Sequence, residues 1–219
     1  MKKTIIRRGA ANFLFSKNID PVLQRVYSNR GITDMSMVNK TLCDLPHPSK
    51  MLGIESAVQR LIDALQLKQK VLIIGDFDAD GATSTALMIL GLGSLGFSSV
   101  QYLVPNRFEF GYGLTREIVD LAIGLKPALI ITVDNGISSY QGVEKASQYG
   151  VDVIITDHHL PGKELPDAYS IINPNQIGCK FPSKNLAGVG VAFYLLLALR
   201  TALRENNWFV SRDIGEPNL

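Results

Sequence analysis

From Val71 onward, short apolar runs alternate with amphipathic stretches, and this alternation limits the fold more than any other feature. The apolar runs have the length of buried strands and cover residues 71–75, 100–105, 128–133, 151–156 and 170–172. Helices are predicted at 82–95, 115–124, 138–149 and 186–205. Because strands connected through helices pair in parallel, the sequence predicts an α/β fold with a mostly parallel sheet and helices on both faces.

The first 69 residues carry a different pattern and are predicted to form a small helical N-terminal segment, with residues 70–219 as the main domain. Helices are predicted at 21–27, at 33–42 and in an amphipathic stretch that begins with Ser56 as its N-cap. A proline-rich linker separates the second predicted helix from the third.

Composition excludes several classes of protein. A chain of 219 residues with 46% hydrophobic residues can bury a sizeable core. A net charge of +2 does not indicate a general affinity for nucleic acid. The two cysteines, Cys43 and Cys179, have no CxxC partner, which argues against disulfides and structural zinc and favours a cytoplasmic location. The apolar run 186–199 is shorter than the ~20 residues of a membrane span, so a core helix and no membrane partner are expected.

Acidic residues and histidines follow three of the predicted strands directly. Residues 71–75 lead into Asp76, Asp78 and Asp80, 128–133 into Asp134, and 151–156 into Asp157, His158 and His159. Because ligands of open α/β sheets bind beyond the carboxyl ends of the strands, these side chains are expected at one edge of the sheet.

The first cluster is the densest. In an extended segment, Asp76, Asp78 and Asp80 are expected to place all three carboxylates on one side, where they repel one another unless a cation neutralises them. Oxygen ligands suit Mg²⁺ or Mn²⁺, and nearby imidazoles favour Mn²⁺ or another transition metal. Gly81 is expected to let the chain turn into a helix beginning at Ala82.

Each cluster taken singly also has an ordinary structural interpretation. Asp-rich strand ends form turns and helix caps, Asn135-Gly136 is a strong turn signal, and a histidine pair often has one packed and one exposed ring. Their coincidence at three strand ends favours a two-metal phosphoesterase site, with Asp134 as the natural bridging carboxylate.

A glycine-aromatic loop follows the strand predicted at 100–105. Arg107 can grip a phosphate with its planar guanidinium, and the loop's aromatic side chains offer surfaces for base stacking. Those rings are Phe108, Phe110 and Tyr112. The alternative is a loop whose rings cover the core.

Six segments together resemble successive motifs of the RecJ family, the single-strand-specific 5′→3′ DNA exonucleases of the DHH phosphoesterase superfamily. They are GDFDADGATSTAL (75–87), VPNRFEFGYGL (104–114), TVDNGISS (132–139), TDHHLPG (156–162), INPN (172–175) and LAGVGVAFYLLLAL (186–199). Asp-His-His alone is a weak signal, whereas the ordered set is specific and runs from about residue 20 to the last residue.

The resemblance implies a core that binds two Mn²⁺ or Mg²⁺ ions and cleaves single-stranded DNA in repair and recombination, together with single-strand DNA-binding protein. The implied metal ligands are Asp76, Asp78, Asp80, Asp134 and His158. The implied catalytic group consists of His159 beside the scissile phosphate, Asp134 and Asp157. The implied DNA contacts are Asn106, Arg107, Gly111, Tyr112, Gly113, Asn135 and Gly136.

RecJ proteins are longer than this chain. The resemblance implies a further metal-ligand aspartate beyond Leu219, followed by a second DHH-associated domain and an OB-fold domain. The chain is therefore interpreted as the N-terminal portion of a RecJ protein and predicted to have little or no nuclease activity alone.

Three other functions stay open at the level of sequence. One is a DHH phosphoesterase that acts on pyrophosphate, short oligonucleotides or cyclic dinucleotides. Another is a phosphatase of the haloacid dehalogenase type, because Asp78-Ala79-Asp80-Gly81 resembles its DxDG motif. The third is a non-catalytic remnant that binds a metal or a partner.

Overall fold

The computed structural model describes residues 4–6, 19–38 and 41–219, which fall into two compact units divided between Leu45 and Pro46. In the first unit, helix α1 spans Pro21–Asn29, and the Asp20 side chain caps it by accepting a 2.8 Å hydrogen bond from the Val22 N–H.

The helix predicted at 33–42 is wrong for the part of that stretch that the structure describes. Met35–Met37 forms a single 3-10 turn instead, because the Asp34 carboxylate accepts the Ser36 N–H and closes a local turn. A second such turn spans Leu42–Asp44.

The second unit contains the sheet and its helices. After a 3-10 turn at Pro48–Lys50, its helices are α2 (Ile54–Gln66), α3 (Ala79–Ser94), α4 (Arg107–Phe110), α5 (Arg116–Gly124), α6 (Tyr140–Gln148), α7 (Gly188–Glu205) and α8 (Trp208–Ser211). Its strands are β1 (Val71–Ile74), β2 (Val100–Leu103), β3 (Leu129–Val133), β4 (Asp152–Thr156) and β5 (Ser170–Ile172).

All five strands are parallel and lie in the order β2-β1-β3-β4-β5, which confirms the predicted fold class. Alternate residues of the inner strands enter two separate apolar clusters, one on each face. In β1, for example, Val71 and Ile73 join the cluster that includes residues of α2, α3 and α7, whereas Leu72 and Ile74 join the one formed with α5 and α6. Burial on both faces explains why the strands read as continuous apolar runs.

Helix α2 begins earlier than predicted. Gly53, with a φ of 84°, is its N-cap, and the buried Ile54 lies in its first turn. Ser56 does not cap the helix, and its hydroxyl donates to the Gly53 carbonyl from within the first turn. Although the predicted N-terminal segment includes this helix, α2 packs against α7 and β5 of the second unit. The predicted domain boundary at residues 69/70 stays a prediction.

Helix α7 contains the long apolar run and is buried against α2 and α3, as a core helix should be. Within the described ranges, we find no helix with both the length and the apolar character to span a bilayer.

Candidate metal centre

Three adjacent strands bring the predicted ligands together. β1, β3 and β4 are neighbours in the sheet, and at their carboxyl ends the chain continues into Asp76, Asp134 and Asp157 respectively. From β1 the chain continues to β2 on one side, and from β3 it continues to β4 on the other, so the strand order reverses between β1 and β3. The crevice at such a switch point is the ordinary binding site of an open α/β sheet.

The Asp-rich segment after β1 is not extended as predicted. Helix α3 begins at Ala79, because the Asp78 carboxylate caps it by accepting the Gly81 N–H at 2.9 Å. Asp80 therefore lies in the first helical turn and not in line with Asp76 and Asp78. A Cβ on Gly81 would lie 2.5 Å from the Asp76 carbonyl oxygen, so only glycine permits this tight entry.

Asp80 is turned toward the start of α7. Its two carboxylate oxygens accept the N–H groups of Gly188 and Val189 at 2.7 and 2.8 Å. Ala187, the N-cap residue, offers no side-chain acceptor, so Asp80 supplies the missing cap from a distant part of the chain. Its Oδ2 also lies 3.6 Å from the Nε2 atom of His158.

Asp134 has the features of a metal ligand. It is 1% exposed and adopts the left-handed conformation with a φ of 60°, which a non-glycine residue seldom takes. Its buried Oδ1 atom has no hydrogen-bond partner among the described residues. Burial, reinforced by the charges of Asp80 and Asp78, raises the pKa of Asp134 to about 7.

The His158 ring lies against these carboxylates. Its Nε2 atom is 3.1 Å from Asp134 Oδ1, yet the two atoms do not form a hydrogen bond. A cation between such ligands would satisfy both the orphaned oxygen and the imidazole nitrogen. The donor set of carboxylates and imidazole therefore fits a divalent metal.

Asp157 is buried and organises the loop after β4. Its Oδ1 accepts hydrogen bonds from the backbone N–H groups of His158 and His159 and lies 2.7 Å from the ring Nδ1 of His159, with which it also forms a hydrogen bond. Its Oδ2 accepts a hydrogen bond from the Ile137 N–H. Burial alone would raise the pKa of Asp157, but these hydrogen bonds outweigh it and lower the pKa. The hydrogen bond between the His159 ring and the Asp157 carboxylate raises the pKa of His159.

The two histidine rings lie on the same side of the loop, 4.7 Å apart between centroids. This is possible because both residues follow the end of β4, where the alternation of a strand no longer applies.

Two groups of described side chains have ligand atoms close enough to hold an ion. One group consists of Asp76, Asp78 and Asp134, the other of Asp134, His158 and His159, and within each group the ligand atoms lie within 4.8 Å of one another. Asp134 is common to both, which is the position of a carboxylate that bridges two metals. Asp80 belongs to neither group, although its carboxylate lies next to His158.

Asn135 and Gly136 form part of the scaffold. The Asn135 amide donates to the carbonyls of Ile74 and Val133 and so ties β1 to β3. A side chain that is 1% exposed has almost no surface to offer to DNA. Gly136 has a φ of 114°, and a Cβ there would lie 2.4 Å from the Thr132 hydroxyl, so a glycine is required.

Among the predicted DNA contacts, Tyr112 has a side chain that contacts site residues. Its hydroxyl donates to the Asp134 carbonyl at 3.2 Å, and its ring meets that of His159 edge-on with centroids 6.1 Å apart. Burial, followed by the charges of Asp157 and Asp76, raises the pKa of Tyr112. A cavity of about 150 Å³ separates the two rings from the loop after β3; it is lined by Tyr112, Gly136, Ile137, Ser138, Ser139, Asp157 and His159.

The rest of the glycine-aromatic loop is more exposed. Asn106 caps α4 by accepting the Phe108 N–H, and the Phe108 ring is 93% exposed. Phe110 instead packs against the core. Gly111 and Gly113 both have a positive φ, and the side chain of Arg107 lies outside the described part of the structure.

Sequence reasoning missed several residues that shape the site. Gly188 is one: a Cβ there would lie 2.5 Å from Asp134 Oδ1, so glycine lets the start of α7 approach the ligands. Asn173 and Asn175 are two more, because their amides donate to the carbonyls of His159 and His158. The INPN segment was the only sequence signal for them.

Comparison with known proteins agrees with this geometry. The sequence profile of the DHH family, N-terminal domain, matches residues 70–216. The chain belongs to the DHH family. This membership favours a DHH phosphoesterase over the haloacid dehalogenase alternative.

Within the DHH family, the chain is a homologue of the RecJ exonucleases, as the sequence motifs predict. It is 53% identical over 201 residues to the single-stranded-DNA-specific exonuclease RecJ of Escherichia coli (strain K12), covering 92% of this chain and 35% of that protein. It is 49% identical over 216 residues to RecJ of Haemophilus influenzae, covering 99% of this chain and 37% of that protein. The chain thus spans about a third of the length of these relatives and corresponds to their N-terminal portion.

Solved RecJ structures share the fold. An exonuclease RecJ bound to manganese superposes with a TM-score of 0.65 at 34% identity, over 76% of this chain and 40% of that one. RecJ of Thermus thermophilus in complex with Mn²⁺ superposes with a TM-score of 0.66 at 31% identity, over 87% of this chain and 25% of that one. The same protein has also been solved in complex with Mg²⁺.

Proposed function

We propose that this chain carries the catalytic core of a RecJ-type nuclease, which hydrolyses single-stranded DNA from its 5′ end with two divalent cations. One observation carries the proposal: two groups of ligand atoms share the buried Asp134, whose Oδ1 accepts no hydrogen bond from the residues that the structure describes. The names of the RecJ relatives give single-stranded DNA as the substrate class. The 5′→3′ direction and the role in repair and recombination are proposed from the motif resemblance.

In this proposal, Asp76 and Asp78 would hold one cation, His158 would hold the other, and Asp134 would be a ligand of both. His159 belongs to the same ligand group as His158. Asp80 holds the start of α7, and through its position beside His158 it stays a proposed ligand. Mn²⁺ or Mg²⁺, as found in RecJ structures, would supply Lewis-acid activation of water and neutralise the phosphate.

His159 is proposed to act on the scissile phosphate. Asp157 accepts its Nδ1 proton and thereby fixes the ring orientation and leaves the other nitrogen for the substrate. In the metal-free chain the hydrogen bond to Asp157 raises the pKa of His159, and a protonated ring can donate a hydrogen bond to a phosphate oxygen. The cavity that both His159 and Tyr112 line is the proposed place of the phosphodiester.

The DNA strand is proposed to reach the site along the glycine-aromatic loop. Tyr112 lies at the site, and the exposed Phe108 ring offers a face for base stacking. The backbone at Gly111 and Gly113 permits close approach, and Asn106 and Arg107 stay proposed contacts. Single-strand DNA-binding protein is a proposed partner through the RecJ resemblance alone.

The 219-residue chain by itself is proposed to be weak or inactive as a nuclease. It spans about a third of the RecJ relatives, and the resemblance places a further ligand aspartate outside the stretch matched here. The net charge of +2 also gives little general attraction for a DNA backbone.

Two measurements test the proposal. Mn²⁺ titration calorimetry should show binding to the chain and at least ~10-fold weaker binding to Asp134→Ala, because that variant removes the shared ligand. Digestion of 5′- and 3′-labelled single-stranded oligonucleotides with Mn²⁺ should be slow, start at the 5′ end and be absent in Asp134→Ala.

The other functions predict different results. Turnover of a dinucleotide or pyrophosphate in preference to the long strand would contradict the RecJ-type proposal. Metal binding with no cleavage of any substrate would support the remnant, and fast processive digestion would contradict the proposed weak activity.

A further inference from the structure

The His158-His159 segment lies beyond the end of β4, where no strand partner remains for its backbone. Its N–H groups are nevertheless satisfied by one side chain, because Asp157 Oδ1 accepts from His158 at 2.7 Å and from His159 at 3.1 Å. Buried backbone groups without hydrogen-bond partners cost free energy, so the carbonyls of His158 and His159 also need donors.

Two asparagines after β5 provide these donors. Asn175 Nδ2 donates to the His158 carbonyl at 2.6 Å, and Asn173 Nδ2 donates to the His159 carbonyl at 2.9 Å. The two asparagines are themselves joined, since the Asn173 Oδ1 accepts the Asn175 N–H at 2.8 Å. Asn173 is completely buried.

We propose that Asn173 and Asn175 are positioning residues for the metal site, which clamp the carbonyl side of the His158-His159 backbone while Asp157 clamps its N–H side. The direction of a histidine ring depends on its backbone, and here both the N–H and the carbonyl of each histidine are held by a side chain. This proposal rests on the proposed metal-dependent function of the same site.

The clamp is itself anchored in the sheet. β5 pairs with β4 in the register Thr156 to Ile172, and the Asp157 N–H donates to the Ile172 carbonyl, so Asn173 begins directly beside the histidine loop. Lys184 Nζ donates to the Pro174 carbonyl between the two asparagines. The short edge strand β5 thus delivers two amides to the site.

A comparison of two alanine variants tests the proposal. Asn175→Ala removes a donor to the histidine segment. The neighbouring Gln176→Ala removes an amide that, among the described residues, donates to the Leu52 and Ile171 carbonyls and not to the histidine segment. Both should lower the melting temperature of the metal-free chain. Only Asn175→Ala should weaken Mn²⁺ binding beyond that, by ~10-fold or more, as expected of groups that orient metal ligands.

A second readout needs no metal. In EDTA, the ¹⁵N signals of the His158 and His159 rings should shift in Asn175→Ala and keep their wild-type positions in Gln176→Ala. If the wild-type chain binds no Mn²⁺, the proposed function fails, and the ring signals alone decide the clamp. If Asn175→Ala does not fold, Asn175→Ser and Asn173→Ser take its place, with the same expected shifts.

The proposal is overturned if the asparagine variants match Gln176→Ala in both Mn²⁺ affinity and ring signals, because the amides would then serve only the stability of the loop.

Discussion

The Nε2 atom of His158 lies 3.1 Å from the Oδ1 atom of Asp134, at the ends of the neighbouring strands β4 and β3, without forming a hydrogen bond. The carboxylate is almost fully buried and sits on a left-handed backbone. A buried carboxylate oxygen without a hydrogen bond costs free energy, and a cation shared with His158 would offset that cost.

Mn²⁺ should stabilise the chain through Asp134. At a free Mn²⁺ concentration of ~100 times the dissociation constant, the free energy of unfolding should rise by ~2.7 kcal/mol. Asp134→Asn should lose most of this gain, because both ligand groups use that carboxylate. Thermal unfolding with and without Mn²⁺ measures the effect, and Asp167→Asn, an exposed aspartate away from the site, is the control. Equal Mn²⁺ stabilisation of both variants would contradict the shared-ligand assignment.

Without metal, Asp134 should make the chain less stable as the pH rises. Its pKa is about 7 in the folded chain and 3.8 ordinarily, so the folded state binds this proton more tightly than the unfolded state. Stability from this group is greatest below pH 3.8 and is lost as the pH rises toward 7. In EDTA, Asp134→Asn should therefore be ~1–3 kcal/mol more stable relative to wild type at pH 8 than at pH 4. Urea unfolding at the two pH values checks this, and an unchanged difference would refute it.

Gly188→Ala should damage the site. The new Cβ would lie 2.5 Å from Asp134 Oδ1, so α7 or the carboxylate must shift, at a cost of ~1–3 kcal/mol and with weaker Mn²⁺ binding. Gly93→Ala is the matched control in helix α3, where a Cβ meets nothing within 4 Å. That variant should gain ~0.5–1 kcal/mol from helix propensity and bind Mn²⁺ normally. Similar behaviour of the two variants would show that the close approach of α7 is unimportant.

The hydrogen bond between Asp157 and His159 should be visible in a titration. The pKa of His159 is raised mainly by this bond, so NMR titration in EDTA should place it above ~6.5. Asp157→Asn should bring it down, because the variant removes the negative charge. The stabilising contribution of the charged pair is complete below ~6.5 and disappears as the pH rises through the folded-state pKa of His159. A His159 pKa that stays the same in Asp157→Asn would exclude this coupling.

Much of the fold and of the site was accessible from local sequence. Strands β1 to β5 were predicted within two residues at each end, because buried parallel strands form unbroken apolar runs. The start of α3 was not, because the extended interpretation of the acidic cluster overlooked Asp78 as an N-cap. The helix predicted at 33–42 failed because Asp34 closes a local turn there.

The sequence by itself determined that this chain builds a parallel sheet and that acids and histidines follow its strands, since both depend on residues close together in the chain. Only the tertiary structure decided how those side chains are used. The bonds from Asp80 to Gly188, from Asn175 to His158 and from Tyr112 to Asp134 join elements that are far apart in sequence. Such partners are set by how α7, β5 and the glycine-aromatic loop pack around the end of the sheet, and no local pattern records that packing.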